Sequence, residues 1–555
     1  MGPGDSTTEE RGLRWWDNQQ LVGVLIGVLA VVVRFVYLAD SSHDPSFMQP
    51  LVDSRTYHDL AEGLAANGVF TEKFLWQAVF YPFFLAGVYA VFGVSVPAAI
   101  VIQILLGGAT CYLTHRLTLQ MFGRRQALVA GLICALSGPL IFFETRLMAT
   151  GWTAFLTVAM ALLLIRIDRN PGPRFCFVWG LTGAVAILTR PTFVPIVIVV
   201  FVWLAWETRR RGMSLKRAAG SVGAALVGVF LVLGPTAVVL EAKTGHPGIV
   251  PPSGGINLFI GNNGDFDRTI NIRLGIPWEE LVAEPSRNGY APGPWNGQPY
   301  FIDKVMAFAG GKPGEQLGLW GRKTLHLISS RELPRNLDIY LHRQWSPVMG
   351  ALVFKLGAWG FPWGLIFPLA AVGLAGSFRK IPVSFLILLG MFGASLVLVF
   401  ISARYRAPLI PLMAVLAGQG LISITRGARQ GEGVIRTSLL LVFCVLAVAL
   451  PGPFAQESVD LEPEMYFGVG HNFYRQKDWP AAVENLQRSV VMDPWAPAPR
   501  NFLGIALARM GRIEAACAQF DTAVILKPDY GEAVRNLERC RRMADDPASS
   551  TPKKP

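Results

Sequence analysis

The sequence predicts an all-α polytopic membrane protein with a soluble helical-repeat tail, and three observations predict it. Apolar residues make up 52% of the 555 positions and charged residues only 16%, against about 25% charge in a soluble domain. Apolar runs recur along the first 450 positions at lengths close to the roughly 17–25 residues that cross a bilayer core. After Pro453 the chain turns polar and repeats itself at a fixed period. The formal charge of +12 would suggest nucleic acid in a soluble protein, but basic cytoplasmic loops supply such an excess in a membrane protein. Six cysteines in so long a chain are no disulfide framework, and no CxxC or Cys/His cluster suggests zinc.

Eleven runs are candidate spans: 20–39, 98–116, 127–143, 149–166, 176–189, 192–206, 218–240, 358–376, 381–400, 407–425 and 437–454. The first lacks a small-x-small cleavage site and carries Arg34 at its far end, so it reads as a retained anchor rather than a signal peptide. The opening MGPGDS fits a loose myristoylation pattern, an anchor redundant beside so many spans. With residues 1–19 inside, the cytoplasmic connections hold Arg116, Arg124 and Arg125, then Arg166, Arg169 and Arg174. The later ones hold Arg209, Arg210, Arg211, Lys216 and Arg217, then Arg379 and Lys380, then Arg426, Arg429 and Arg436. The first outer loop, 40–97, has only Arg55 and Lys73 against Asp40, Asp44, Asp53, Asp59, Glu62 and Glu72. This bias places the N-terminus in the cytoplasm of a cell with an inner membrane and the C-terminus outside it, in the periplasm. Residues 79–93 are short for a crossing, and counting them as one would put the Arg116–Arg125 cluster outside, so they are expected to form an in-plane interfacial helix. The second long outer loop, 242–357, is rich in Gly, Pro, Asn and Trp and reads as an ordered functional segment. Residues 20–454 therefore form the membrane domain.

In the tail, Asp493-Pro494 and Lys527-Pro528 lie 34 residues apart, the tetratricopeptide period. Gly470 and Gly504, Ala482 and Ala516, and Leu486 and Phe520 fall at matching positions, with small residues where two helices approach and bulky ones between them. Residues 531–545 read as a capping helix. Residues 455–545 are thus expected to be an extracytoplasmic tetratricopeptide-type solenoid, too short to stand alone and leaning on the membrane domain or on a periplasmic partner. Residues 546–555 read as disordered. Cys517 and Cys540 face an oxidising space, where pairing is an open question.

A charge in or beside a span is a functional-site hypothesis. The outer side collects Asp53, Glu144, Arg146, Arg190, Arg404 and Arg406, with Arg34 near the outer end of the first span. Arginines at short outer turns run against the positive-inside bias, and their planar forks suit phosphate. A ring of arginines facing one or two carboxylates is what a lipid-phosphate substrate requires; the competing reading for each arginine alone is snorkelling to head groups.

The stretch Leu51-Val-Asp-Ser-Arg-Thr-Tyr-His-Asp-Leu-Ala61, followed by Tyr81-Pro82, resembles the first outer loop of the C-type glycosyltransferases, closest to the bacterial branch similar to protein mannosyltransferases and aminoarabinose transferases. Glu144 in Phe142-Phe-Glu-Thr-Arg-Leu-Met148 resembles the acidic position of that family's second outer loop. Arg404-Tyr-Arg-Ala-Pro408 is similar to its R-Y-R-x-P motif, and Asn257-Leu-Phe-Ile-Gly-Asn-Asn263 to a loop of members with tetratricopeptide tails. The chain departs from the commoner pattern in having Asp53-Ser54 for Asp-Glu and Val79-Phe80 before Tyr81.

The resemblance implies sugar transfer from a polyprenyl-phosphate donor to a protein, glycolipid or glycan acceptor at the outer face, by a single inverting displacement. An attacking hydroxyl needs a carboxylate within reach, which makes Asp53 the expected base, with Glu144 as acceptor orienter or base partner. The departing phosphate needs fixed cations, expected from Arg404, Arg406, Arg190 and Arg34. Tyr57, Tyr81, Arg146, Tyr405, Asn257 and Asn262 are expected at the substrate, although Gly/Asn turn chemistry explains the asparagines equally well. No cofactor is firmly implied; a divalent metal at His43 and His58 stays open beside the commoner reading of polar interfacial residues. Competing readings are a polymerase or ligase moving a polyprenyl-linked glycan, and a transporter or repeat-based scaffold. Clustering of charge at the outer boundary rather than the midplane argues against a transporter.

Overall fold

A computed structural model describes residues 17–68, 76–273, 275–430 and 434–545. The MGPGDS start, Glu72, Lys73 and the 546–555 tail lie outside the described residues. The chain is helical throughout, apart from one antiparallel hairpin pairing Phe354–Leu356 with Trp359–Phe361 among the described residues.

Each of the eleven apolar runs contains a helix, but fewer meet the length needed for a crossing. Among the described residues five helices are long and apolar enough: Gln19–His43, Val96–Met121, Thr150–Arg169, Leu215–Thr244 and Ala403–Ala428. Arg124–Ala135 and Gly138–Glu144 make a sixth if the 50° bend between them is one broken span. That break falls where Pro139 opens the second piece, because proline cannot continue the donor ladder. Pro173–Thr189, Val383–Leu398 and Ile435–Ala449 are shorter apolar helices. Phe193–Arg210 ends in Glu207, Arg209 and Arg210, and Trp363–Ser377 is only 15 residues long. Residues 79–93 form the 13-residue helix Phe80–Phe92, too short to cross.

Small residues set how these helices meet, as expected where lipid offers no hydrophobic drive. A Cβ at Gly180 would lie 2.1 Å from the Ala225 carbonyl oxygen, and one at Gly228 2.3 Å from that of Phe177. Pro173–Thr189 and Leu215–Thr244 therefore touch backbone to backbone. Thr150–Arg169 and the helix after Ala403 sit at the centre, walled by Leu164, Phe193, Phe385 and Leu412.

Two outer segments cover one end of the bundle. The first holds the helices Asp53–Asn67 and Phe80–Phe92. The second carries Ser253–Gly261, Ile276–Arg287, Pro294–Gly311 and Pro313–Ile328, packed round Ile256, Ile260, Phe301 and Phe400. Beyond the last apolar helix, five helices follow: Glu462–Arg475, Trp479–Met492, Pro497–Arg509, Ile513–Leu526 and Gly531–Asp545. Gly470 lies against Leu486 and Gly504 against Phe520, at 2.8 and 2.6 Å from where a Cβ would stand. Each hairpin thus closes at the same small-to-bulky contact. Cys517 and Cys540 form a disulfide joining the last two helices. These helices lean on the outer segments through Leu51, Met465, Tyr466 and Val469, and through Lys527 on Glu280 at 2.5 Å.

Candidate active site

Asp53 opens the Asp53–Asn67 helix directly after Val52, whose φ of 51° is a left-handed conformation rare for a β-branched residue. Such strain persists only where surrounding contacts fix it. The Asp53 carboxylate accepts from Arg404 and, at 3.1 Å, from Asn336 Nδ2. Arg404 also donates to Tyr405 Oη at 3.1 Å and to Met148 Sδ at 3.6 Å.

Asp53, Asn336, Arg404 and Tyr405 line a chamber of about 80 Å³ with Arg335, Asn257, Trp76 and Trp278. Asn257, Arg404, Tyr405, Gln77, Ser253 and Phe400 also line an adjoining cavity of about 360 Å³, whose further wall holds Tyr57, Thr150, Arg190, Thr192, Pro195 and Leu396. The two spaces share one cation-rich rim and one apolar wall. Arg404 pairs with the single carboxylate of Asp53, whose charge also acts on Arg190 and on Arg335; Arg335 Nη1 donates to the Ile270 and Ile272 carbonyls.

Tyr405 lies between two of the cations, with Arg190 4.7 Å and Arg404 4.9 Å from its ring centroid. Arg190 makes no ion pair among the described residues, and burial pulls it down to about 10. Arg335 is likewise pulled to about 10, first by burial and then by Arg273. Thr150 Oγ1 and Thr192 Oγ1 are buried in the same wall without a hydrogen-bond partner among the described residues. Buried donors and cations so exposed to one another create a demand for an anion.

The structure brings Asp53 to the chamber, Tyr57 and Arg190 to the adjoining cavity and Arg404, Tyr405 and Asn257 to both, and places the other expected residues elsewhere. Glu144 and Arg34 are fully buried and ion-paired to each other, with Gly107 against both. Neither faces the cavity, because each neutralises the other. Arg406 is buried on the carbonyls of Ser329 and Arg331 and on Glu332 at 3.0 Å, so it holds a loop rather than a ligand. Arg146 pairs with Asp44 at 2.7 Å, and His342 reaches the same Asp44 oxygen. Tyr81 is fully buried, donates to Gln103 and packs edge-on to Tyr57 at 4.8 Å. Asn262 receives Lys323, Gln316 and Trp320 at 2.8–3.2 Å and is a bracket of the second outer segment.

His58 groups not with His43 but with Asp59 and Glu62, their ligand atoms within 4.8 Å of one another. Asp59 is already held by Arg475 at 2.7 Å and His58 by Tyr89 at 2.8 Å. None of the three lines the cavity, and one carboxylate among three guanidiniums is no donor set for a divalent cation there. Sequence reasoning missed Arg335, Asn336, Thr150 and Thr192. Arg335 had a signal in being basic on the outer side; the others had none.

Residues 77–237 match the family model described as dolichyl-phosphate-mannose-protein mannosyltransferase, less than a third of the chain. No curated protein matches the sequence. Among solved structures, the chain is similar to the archaeal oligosaccharyltransferase AglB from Archaeoglobus fulgidus in complex with an inhibitory peptide and a dolichol-phosphate. That similarity has 13% identity and a TM-score of 0.45, over 84% of this chain and 60% of that one. This chain thus spans about 60% of the archaeal protein's length. It is also similar to ArnT from Cupriavidus metallidurans bound to undecaprenyl phosphate, at 15% identity and a TM-score of 0.40, over 95% of this chain and 78% of that one.

Proposed function

We propose that the protein is an integral-membrane glycosyltransferase that moves a sugar from a polyprenyl-phosphate donor to a protein, glycolipid or glycan acceptor at the extracytoplasmic face. The observation that carries the reading is one carboxylate, Asp53, set among Arg404, Arg190 and Arg335 on the rim of an apolar cavity. The match of residues 77–237 to the mannosyltransferase model supports it.

The acceptor hydroxyl attacks the anomeric carbon as its proton passes to Asp53. The bond from that carbon to the phosphate oxygen breaks, and the electron pair leaves with the polyprenyl phosphate. One bond forms as one breaks on opposite faces, so configuration inverts. Arg404 and Arg190 take the charge that grows on the phosphate, as preorganised donors do in a water-poor site. Thr150 and Thr192 supply further donors, and the apolar wall takes the first part of the lipid. Asn257 and Tyr57 lie where the sugar would sit.

The five C-terminal helices are proposed as a tetratricopeptide-type module of residues 455–545 on the extracytoplasmic side, where a Cys517–Cys540 bond would persist. Residues 20–454 are the membrane domain, with the N-terminus in the cytoplasm. The reading is tested by mass spectrometry of envelope proteins and glycolipids from cells with and without the gene. Loss of one sugar from a protein or lipid class supports it, and an unchanged glycan profile rejects it.

A further inference from the structure

The three loops that build the candidate site come from distant parts of the chain: one leads to Asp53, one to Asn336 and one to Arg404. The segment after the last apolar helix touches all three from behind. Gln456, almost fully buried, donates to the Ile401 carbonyl at 2.9 Å and the Pro334 carbonyl at 3.3 Å. Those carbonyls stand three residues before Arg404 and two before Asn336. Further on, Asn472 donates to the Pro50 carbonyl at 2.9 Å. A Cβ on Gly468 would come within 3.0 Å of Leu51, whose side chain is buried among Met465, Tyr466 and Val469. On the other flank of Asp53, Arg475 grips both Asp59 oxygens at 2.7 and 3.0 Å.

The strained residue, Val52, therefore stands between a clamped Leu51 and the start of a helix pinned one and a half turns later. Val52 makes no long-range hydrogen bond that would hold its backbone there; its neighbours do. We propose that residues 456–475 are a positioning strap, in which Gln456 and Asn472 fix the relative placement of Asp53, Asn336 and Arg404. Transfer then depends on the C-terminal module whether or not the module binds anything else. A buried amide that bridges two loops costs little when both carbonyls are met and a great deal when it is removed, so each loop follows the strap. Gln456 and Asn472 touch no substrate; they act through the residues they hold. The strap's role in catalysis rests on the glycosyltransferase reading, whereas its mechanical role does not.

The test uses the full chain with Asn472→Ala and Gln456→Leu, and with Gly468→Val as a second route that wedges Leu51 without removing a hydrogen bond. Arg541→Ala, on an exposed module pair with Asp521, serves as control. Three quantities are read: amide exchange over the loop each variant releases (residues 50–57 for Asn472→Ala and Gly468→Val, 401–406 for Gln456→Leu), binding of undecaprenyl phosphate, and restoration of the missing glycan in cells lacking the gene. We expect exchange to rise by at least tenfold and glycan formation to fall by at least tenfold in the strap variants. Undecaprenyl phosphate binding should stay within threefold in Asn472→Ala and Gly468→Val, which release only the Asp53 flank, and should fall further in Gln456→Leu, which also releases the Arg404 loop. A general loss of structure would instead remove binding and transfer together and would overturn the proposal. So would unchanged exchange, or raised exchange with wild-type glycan formation. If deleting the gene changes no glycan, the glycosyltransferase reading fails while exchange still decides the mechanical strap.

Discussion

Arg190 is the cleanest probe of the proposed donor site, because it is half-buried over Tyr405 and makes no ion pair among the described residues. A hydrogen bond from a charged group contributes about 1.5–3 kcal/mol net, and about 1.4 kcal/mol is a factor of ten in affinity. Arg190→Ala should therefore weaken undecaprenyl phosphate binding by about 10–150-fold. Its effect on the lipid-free protein should have the opposite character. A half-buried guanidinium held down to about 10 by burial is a cost to the fold until an anion arrives. Its removal gives back that cost and the repulsion from Arg404, and forfeits the attraction of Asp53 and the contact with Tyr405, the latter about 0.5–2 kcal/mol. The lipid-free melting temperature of Arg190→Ala should then stay level or rise, and the stabilisation by undecaprenyl phosphate should shrink. Arg190→Lys should recover part of the affinity, since it keeps the charge but loses the fork. Titration in nanodiscs, paired with melting curves with and without lipid, checks each part. Binding within threefold of wild type, or a lipid-free protein that melts far lower, refutes the assignment.

Glu144→Gln should leave Arg34 buried without a counter-charge and cost about 3–5 kcal/mol of stability, seen as early melting in detergent. Glycan formation per folded molecule should stay near wild type, because the pair lies outside the cavity. Cys517→Ser removes a cross-link between positions 23 apart and should cost the module about 3 kcal/mol, read as earlier loss of protection in residues 497–545. His471 is lowered to about 4, mainly by burial and then by Arg55 and Arg475. Between about pH 6.5 and 4 the unfolded chain binds the extra proton, so stability should fall as pH drops through that window. His471→Phe should flatten this part of a pH-dependent melting profile.

The charges singled out from the positive-inside pattern include Asp53, Arg190 and Arg404, and these line two adjoining spaces that share Arg404 and Tyr405. The same pattern could not say which arginines were already spent. Arg34 finds Glu144 across 110 positions, Arg406 finds Glu332 and Arg146 finds Asp44. A sequence shows a costly buried charge but not whether its counter-charge is another residue or a ligand. Eleven apolar runs give only five helices that meet the length of a crossing among the described residues, or six with the bent pair, for a related reason. Hydropathy adds up apolar residues without seeing Pro139 break one run or the charged turns that end another. The repeat positions Gly470, Leu486, Gly504 and Phe520 were legible because close packing demands small against large at a fixed period. The contact of that module with the Asp53 loop had no sequence signal, since Asn472 and Gln456 meet backbone carbonyls, which every residue carries.

Asp53 is proposed to take the proton from the acceptor. Asp53→Asn nearly preserves size and can still hydrogen-bond, but it cannot serve as a base. The full-length variant should reach the membrane at wild-type level, bind undecaprenyl phosphate, and restore less than about a thousandth of the missing glycan, within the 10²–10⁴-fold range of positioned general bases. Restoration at the wild-type rate would contradict the account.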